Sequence, residues 1–145
     1  MDTRDGPILL VEPEPKRREI YATTLSEAGY DVRLGDASTM NEEATRARAS
    51  LVVAHLPEVG DGVRVCRLFR TAEETRDTPL LVITRFDDAY VREQIVRSGA
   101  TAILMEPPRL WLLLSQVRRI LSRFADRLGH APGDRPARDV TSLYP

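Results

Sequence analysis

Cysteine, lysine and long apolar runs are all scarce in this chain of 145 residues. Cys66 is the only cysteine, so no disulfide can form within the chain. The apolar runs are only a few residues long, whereas a membrane-spanning helix needs about 20. The N-terminus is polar and acidic and lacks the apolar segment of a signal peptide. We therefore expect a soluble, cytoplasmic protein without a membrane partner.

Neither sign of charge is in excess, since 21 basic and 22 acidic residues give a formal net charge of -1. This balance argues against a general nucleic-acid binder, which would carry a basic surface. Lys16 is the only lysine, so nearly all the positive charge comes from arginine. Hydrophobic residues make up 42% of the chain, enough for one globular domain with a single core.

Strand-like and helix-like patterns alternate along the chain. The apolar, strand-like segments are Pro7–Val11, Tyr30–Leu34, Leu51–Ala54, Leu80–Ile83 and Ala102–Met105. Helical spacing or helix-capping residues mark Lys16–Ala28, Ala37–Ala49, a helix opening at Asp61, one running from Asp87 or Asp88 to Ser98, and one from Pro108 to Leu128. Most strands are apolar on both faces, which predicts an α/β fold with a parallel sheet between two layers of helices.

The ends of the strands carry polar residues. In a parallel sheet covered on both sides, ligands bind at the carboxyl ends of the central strands. The residues at these ends are Glu12, His55, Thr84 and Glu106. We expect them to meet at one edge of the sheet.

Several segments, in order and spacing, resemble the receiver domain of bacterial response regulators. The segments are Asp61–Arg70, Thr75–Thr84, Ser98-Gly99-Ala100 and Glu106-Pro107, and the likeness runs from about Pro7 to Leu121. The resemblance implies a flavodoxin-like (βα)5 three-layer sandwich with strand order 2-1-3-4-5. It also implies a role in two-component (phosphorelay) signalling.

The residues that match the receiver phosphorylation site differ from the family pattern. The two adjacent acids that hold Mg²⁺ in the family correspond to Glu12 and Pro13, and proline has no side-chain ligand. The phospho-accepting aspartate corresponds to His55, which cannot form an acyl phosphate. The phosphate-pairing lysine corresponds to Glu106, which has the opposite charge.

The positions that transmit the phosphorylation signal in the family are also changed, except one. Thr84 matches the switch threonine, Arg85 replaces the small residue after it, and Ile103 replaces the aromatic switch residue. Phosphoryl transfer depends on placed charges, and most of them are absent or reversed here. The comparison predicts a pseudo-receiver with no catalytic residues, no bound metal and no cofactor.

Four interpretations of this pocket are open. One is a self-neutralised pocket in which His55 and Arg85 take the places of the metal and the lysine. The second is a transition-metal site, because two Glu and one His are acceptable ligands for Zn²⁺, Mn²⁺ or Fe²⁺. The third is pH sensing by His55, and the fourth is phosphorylation of His55 itself.

The last helix is longer than a receiver body should cover. Its apolar positions follow i, i+3, i+4 spacing over about 19 residues, or about 28 Å at about 1.5 Å per residue. In the family the fourth helix, fifth strand and fifth helix form the dimer and output face. The predicted interface residues are Ile103, Leu110, Trp111, Leu114, Val117, Leu121, Phe124 and Leu128. Alternatively, the tail from Gly129 to Pro145 covers the end of this helix.

These observations lead to one preferred function and two rivals. Residues 1–128 are predicted to form a phosphorylation-independent interaction module that binds a signalling protein or a second copy of itself, with 129–145 as a flexible tail or linker. The first rival is an active phospho-acceptor or metal-binding receiver that uses His55 and the flanking glutamates. The second is the receiver half of a longer regulator, in which 129–145 links to an output domain.

Overall fold

The computed structural model describes residues 6–85 and 88–129, and for Val59 and residues 124–129 it describes the backbone only. Five strands and five helices alternate over these ranges. In chain order they are β1 (Ile8–Val11), α1 (Pro15–Glu27), β2 (Val32–Gly35), α2 (Met40–Ala47), β3 (Leu51–His55), α3 (Val59–Thr71), β4 (Leu80–Thr84), α4 (Ala89–Arg97), β5 (Ala102–Met105) and α5 (Leu110–Gly129). No helix in the described ranges is long and apolar enough to cross a membrane.

The strands form one parallel sheet in the order β2-β1-β3-β4-β5. The predicted flavodoxin-like fold and strand order are therefore confirmed. β3 lies at the centre of the sheet and β4 beside it, and all five residues of each are buried. Burial on both faces explains why these strands are continuous apolar runs and do not alternate with polar residues.

Two core layers lie on opposite faces of this sheet, because successive side chains of a strand point to opposite sides. One layer joins the sheet to α2, α3 and α4 and includes Val52, Val82, Cys66, Phe69 and Ile95. The other joins the sheet to α1 and α5 and includes Val53, Ile83, Leu25, Leu113 and Val117. Each fully buried large side chain contributes about 1.5–3 kcal/mol, so the two layers together hold the helices on the sheet.

Several element boundaries differ from the sequence prediction: α2 begins at Met40, three residues after the predicted Ala37, and α5 at Leu110, two residues after the predicted Pro108. β2 begins at Val32 and not at Tyr30, because the Tyr30 N–H donates to the Leu25 carbonyl and so still belongs to the end of α1. α3 begins at Val59, two residues before the predicted Asp61. Glu58 is extended and acts as the N-cap, so the chain enters the helix directly from the loop after β3.

The buried face of α1 is also different from the expected one. Ile20 and Leu25 lie near helical spacing, which predicts an apolar face that contains both, but Ile20 is 48% exposed. Tyr21 and Leu25 are buried in its place, and their i, i+4 spacing puts them on one face against the sheet. This rotation brings the Tyr21 side chain to the α1/α5 side of the core.

Helix ends follow the expected capping chemistry. The Glu14 carboxylate accepts from the Arg17 N–H at 2.8 Å and caps α1, which has Pro15 in its first turn. Asp88 caps α4 by accepting from the Tyr90 N–H at 2.8 Å, whereas Asp87 lies outside the described residues. Gly29, at φ 101°, follows α1 in a conformation that favours glycine.

A half-buried arginine, Arg70, joins two loops at the amino-terminal edge of the sheet. The Arg70 guanidinium donates to four carbonyls at 2.7–3.2 Å, those of Gly99, Thr75, Arg76 and Thr78. Burial lowers the pKa of Arg70. Gly99 has φ 127°, and a Cβ placed there would lie 2.4 Å from the Arg70 Cγ, so glycine is required for this contact.

Candidate functional site

The four predicted strand-end residues meet at the carboxyl edge of the sheet. Glu12 follows β1, His55 ends β3, Thr84 ends β4 and Glu106 follows β5. Glu12, His55 and Thr84 are buried, and the Glu106 side chain is 25% exposed. The Glu106 N–H donates to the Thr84 carbonyl at 2.9 Å, which fixes the end of β5 to that of β4.

The His55 imidazole lies between two carboxylates. Its Nδ1 is 2.9 Å from Oε1 of Glu12, and its Nε2 contacts Oε1 of Glu106. The Glu12 contact is an ion-pair distance without the alignment of a hydrogen bond. An imidazole presents N–H groups at both nitrogens only when it is protonated. The arrangement therefore fits an imidazolium that neutralises carboxylates from two different strands.

Glu12 has further partners on α1. The Arg17 Nε lies 3.4 Å from Oε2 of Glu12, and the Glu14 N–H donates to the same oxygen at 3.0 Å. Arg18 donates from Nη1 to the Glu12 backbone carbonyl at 3.3 Å. Sequence reasoning missed Arg17, although its position one turn inside a helix that starts right after Glu12 is a usable signal. The first turn of α1 thus balances the buried Glu12 charge.

Arg85 lies differently from its predicted place beside His55. Its side chain is 50% exposed, and its Nη2 pairs with Oε2 of Glu58 at 3.2 Å. This pair joins the loop after β3 to the segment after β4. Arg85 neutralises a carboxylate at the rim, and Arg17 supplies the second positive charge next to Glu12. Arg85 lies at the rim and not beside His55 because a long arginine side chain at a strand end extends into solvent more readily than into a filled pocket.

Pro13, Thr84 and Tyr21 are the other residues considered in the described part of the pocket, and none of them brings a charge to it. Pro13 is exposed, and the Thr84 hydroxyl is buried without a hydrogen-bond partner. Tyr21 approaches from α1: burial raises the pKa of its phenol, and the charges of Glu12 and Glu106 add to that rise. The phenol therefore remains neutral near the two acids, and the sequence pattern did not reveal that it lies there.

The transition-metal interpretation conflicts with the directions of these contacts. Glu12 and Glu106 face different ring nitrogens of His55, and the two nitrogens of an imidazole point away from each other. One ion therefore cannot take both carboxylates and the imidazole as ligands. Within the described ranges, no group of three His, Cys, Asp or Glu residues is placed to hold a metal.

The predicted interface residues of α5 and β5 separate into exposed and buried sets. Leu110 and Trp111 are 40% and 66% exposed, and Leu114 and Leu121 are half-buried. Two predictions are corrected, since Val117 and Ile103 are buried in the two core layers. The i, i+3, i+4 stripe is mainly the core face of α5. The part accessible to solvent is its border, formed by Leu110, Trp111, Leu114 and Leu121. Phe124 and Leu128 lie outside the residues whose side chains are described.

The comparison with known proteins decides the family. No family model matches the chain. The DNA-binding dual master transcriptional regulator RpaA of Synechocystis is 32% identical over 127 residues, or 86% of this chain. Response regulator MprA of Mycobacterium leprae is 34% identical over 119 residues, or 80% of this chain. The chain belongs to the response-regulator receiver family.

A solved receiver domain agrees with this assignment. The receiver domain of the sensor histidine kinase PA1611 from Pseudomonas aeruginosa is 27% identical, with a TM-score of 0.69, and the match covers 81% of this chain and 98% of that one. That structure has magnesium coordinated in its active site cleft. The chain spans only about half the length of these curated relatives, 52% of RpaA and 51% of MprA.

Proposed function

We propose that this receiver domain signals by protein–protein interaction and without phosphorylation. The observation that carries the proposal is the position of His55 between Glu12 and Glu106 at the site that matches the phospho-acceptor. An imidazole cannot form the acyl phosphate of an aspartate. Its two flanking carboxylates repel a phosphoryl group, so the pocket favours a positive charge that the chain itself supplies.

The charges that phosphoryl transfer needs are also reversed. Catalysis of this transfer comes almost entirely from positioning and from positive charge around the phosphoryl oxygens. Glu106 stands where the family has lysine, and Pro13 where it has a second acid. His55 itself is a poor acceptor, because each ring nitrogen faces a carboxylate. We therefore propose no enzymatic activity and no cofactor for the domain.

The surface proposed for binding is the border of α5. Leu110 and Trp111 are exposed, and half-buried Leu114 and Leu121 lie along the same helix. Tyr90 and Val96 on α4 add exposed apolar area, at 68% and 50%. α4 and α5 lie on opposite faces of the sheet, whose edge strand is β5, and exposed apolar area of this kind is typical of a protein-binding surface. The proposed partner is a signalling protein or a second copy of the domain, and not a nucleic acid.

Intact-mass measurement with Mg²⁺ and a small phosphodonor tests the first half of the proposal. We expect no gain of a phosphoryl group in the wild type. His55→Ala and His130→Ala are a matched pair, because the chain has only two histidines. A phosphoryl gain that disappears in His55→Ala and persists in His130→Ala would show an active acceptor and overturn the proposal.

Sedimentation and partner capture test the second half. Trp111→Glu places a charge on the proposed surface, and Leu68→Glu does the same on α3, where the leucine is 48% exposed. We expect Trp111→Glu to weaken self-association or partner capture and Leu68→Glu to leave both unchanged. Equal loss in the two variants, or loss only in Leu68→Glu, would rule out the α5 surface.

A further inference from the structure

We infer that the His55–Glu106 contact sets the orientation of the first turn of α5, so that the pocket controls how the proposed binding surface is presented. This inference rests on the proposed function, because it uses the same surface. It adds a form of regulation that needs no phosphate. His55 and Glu106 are positioning residues in this arrangement, since they act through the α5 turn.

The first step of the argument is the short connection between the pocket and the helix. Glu106 is held from both sides, by its N–H to the Thr84 carbonyl and by its carboxylate to His55. Only residues 107–109 separate it from Leu110. Two of these three are prolines, which restrict φ, and Pro108 is buried. A change in the position of Glu106 should therefore also displace the start of α5.

The second step is the geometry of the first helical turn. The N–H groups of Leu112 and Leu113 both donate to the Arg109 carbonyl at 3.0 Å. Leu113 is fully buried, whereas Leu110 and Trp111 are exposed on the same turn. The first turn is thus held to the core by Leu113, while Leu110 and Trp111 are exposed to solvent. A small change in its orientation alters the exposure of Leu110 and Trp111 first.

The third step is the unequal support of the two acids. Glu12 has Arg17 and the Glu14 N–H as partners in addition to His55. Among the described residues, the contact of the Glu106 carboxylate is with His55. Loss of the His55 contact therefore leaves Glu12 paired with Arg17 and the Glu14 N–H, and it removes the ion-pair contact of Glu106. The structural change that follows loss of the contact is therefore expected in the connection between β5 and α5.

Trp111 is the only tryptophan of the chain and reports on this turn directly. We propose measuring acrylamide quenching of its fluorescence in dilute protein, for the wild type, His55→Gln, Glu106→Gln and the double variant. Each single change should raise the quenching constant by up to about 1.5-fold, since Trp111 is already 66% exposed. The double variant should show no more than the larger single effect, because both changes break one contact. Arg64→Gln, which breaks an exposed pair with Asp61, should change nothing.

Unchanged quenching in both single variants, or additive effects in the double variant, would overturn the inference. The measurement needs neither partner nor dimer, so its failure is distinct from a failure of the proposed function. If either glutamine variant does not fold, Glu106→Asp keeps the charge and shortens the reach. The Leu112 and Leu113 amides should then exchange several-fold faster, while the Leu56 amide, bonded to the Ile83 carbonyl, is the unchanged reference. Equal exchange at all three would contradict the coupling.

Discussion

At the scale of single residues, the pocket depends on one imidazole. His55 is 4% exposed and contacts carboxylates that follow β1 and β5, two strands that are not neighbours in the sheet. A buried charge that loses its partner costs about 3–5 kcal/mol. The three charged side chains are therefore a unit, and changing one affects the other two.

The first prediction concerns His55→Asp, the single change that restores the acceptor of the family. It should not restore phosphorylation, and it should lower the free energy of unfolding by about 3–5 kcal/mol, because three carboxylates then share one buried site. Urea unfolding measures the loss of stability. Acyl phosphate formation with Mg²⁺ and a small phosphodonor measures the chemistry, and strong labelling of this single variant would contradict the prediction.

A combination of substitutions should rebuild the phosphorylation site of the family in this chain. Pro13→Asp, His55→Asp and Glu106→Lys together supply the second acid, the acceptor and the cation of the family pattern. Arg85→Ala clears the rim. We expect labelling only when these changes are combined. A series in which each change adds labelling independently would show that the site is not a unit.

The second prediction concerns pH and Cys66. Burial raises the pKa of this thiol from 9.0 to about 11. Below pH 9 the thiol is protonated in both states, and as pH rises toward 11 the unfolded chain loses its proton first, so stability falls. Two pKa units correspond to about 3 kcal/mol at full effect. Urea unfolding between pH 8 and 11 (roughly the range of the titration) should show this added slope in the wild type and not in Cys66→Ala. Parallel curves would contradict it.

At the scale of elements, Arg70 joins two loops that are far apart in sequence. Its four carbonyl contacts link the segment between α3 and β4 to the turn that precedes β5. Because the guanidinium is charged, each contact is stronger than an ordinary hydrogen bond. The amino-terminal edge of the sheet is thus fastened by one side chain, away from the pocket.

Replacement of Arg70 by methionine keeps much of the apolar stem and removes the donors. We predict that Arg70→Met lowers the free energy of unfolding by about 3 kcal/mol or more, because several carbonyls lose their partner. Arg67→Met, on an exposed position of the same helix, should stay within about 0.5 kcal/mol of the wild type. Urea unfolding of both variants provides the comparison, and similar losses in the two would refute a special role for Arg70.

The elements also show how far sequence reasoning reached. The order of strands and the meeting of Glu12, His55 and Glu106 were predictable, because the carboxyl ends of parallel strands share one edge. Arg17 and Tyr21 were not, because the weak apolar pattern of α1 did not reveal that Tyr21 faces the core and Ile20 the solvent. Helix rotation depends on packing against the sheet, which periodicity alone does not give.

Boundaries were missed for a related reason. The start of β2 depends on the hydrogen bond from Tyr30 to Leu25, and the start of α3 on the extended backbone of Glu58. Both are local backbone events that residue type does not specify. The length of α5 was predictable from its apolar spacing, but the division of that stripe into buried Val117 and exposed Leu110 required the position of the sheet.

At the scale of the whole molecule, two core layers share one sheet. Trp111 lies on α5, on one side of the sheet, and Cys66 lies on α3, on the other. All strands between them pair in one continuous ladder. Both core layers pack on the same sheet, so disruption of the sheet removes the packing surface of both. The domain should therefore unfold as one cooperative unit.

Urea unfolding with two probes tests this prediction. Trp111 fluorescence follows the α5 side, and trapping of the buried Cys66 thiol follows the α3 side. We expect one common midpoint for both probes. Trapping of Cys66 at lower urea than the fluorescence change would show that the α3 side opens first and would contradict a single transition.

The charge arrangement at His55 has a consequence for a cell that contains many related signalling proteins. A receiver with an open acceptor site that can hold Mg²⁺ is chemically able to take a phosphoryl group from any kinase that reaches it. Here the space next to the acceptor position is filled by the chain's own Glu12 and Glu106. In the proposed function, a module of this kind is insulated from every such kinase alike. It would answer only to the concentration of the protein that docks on it.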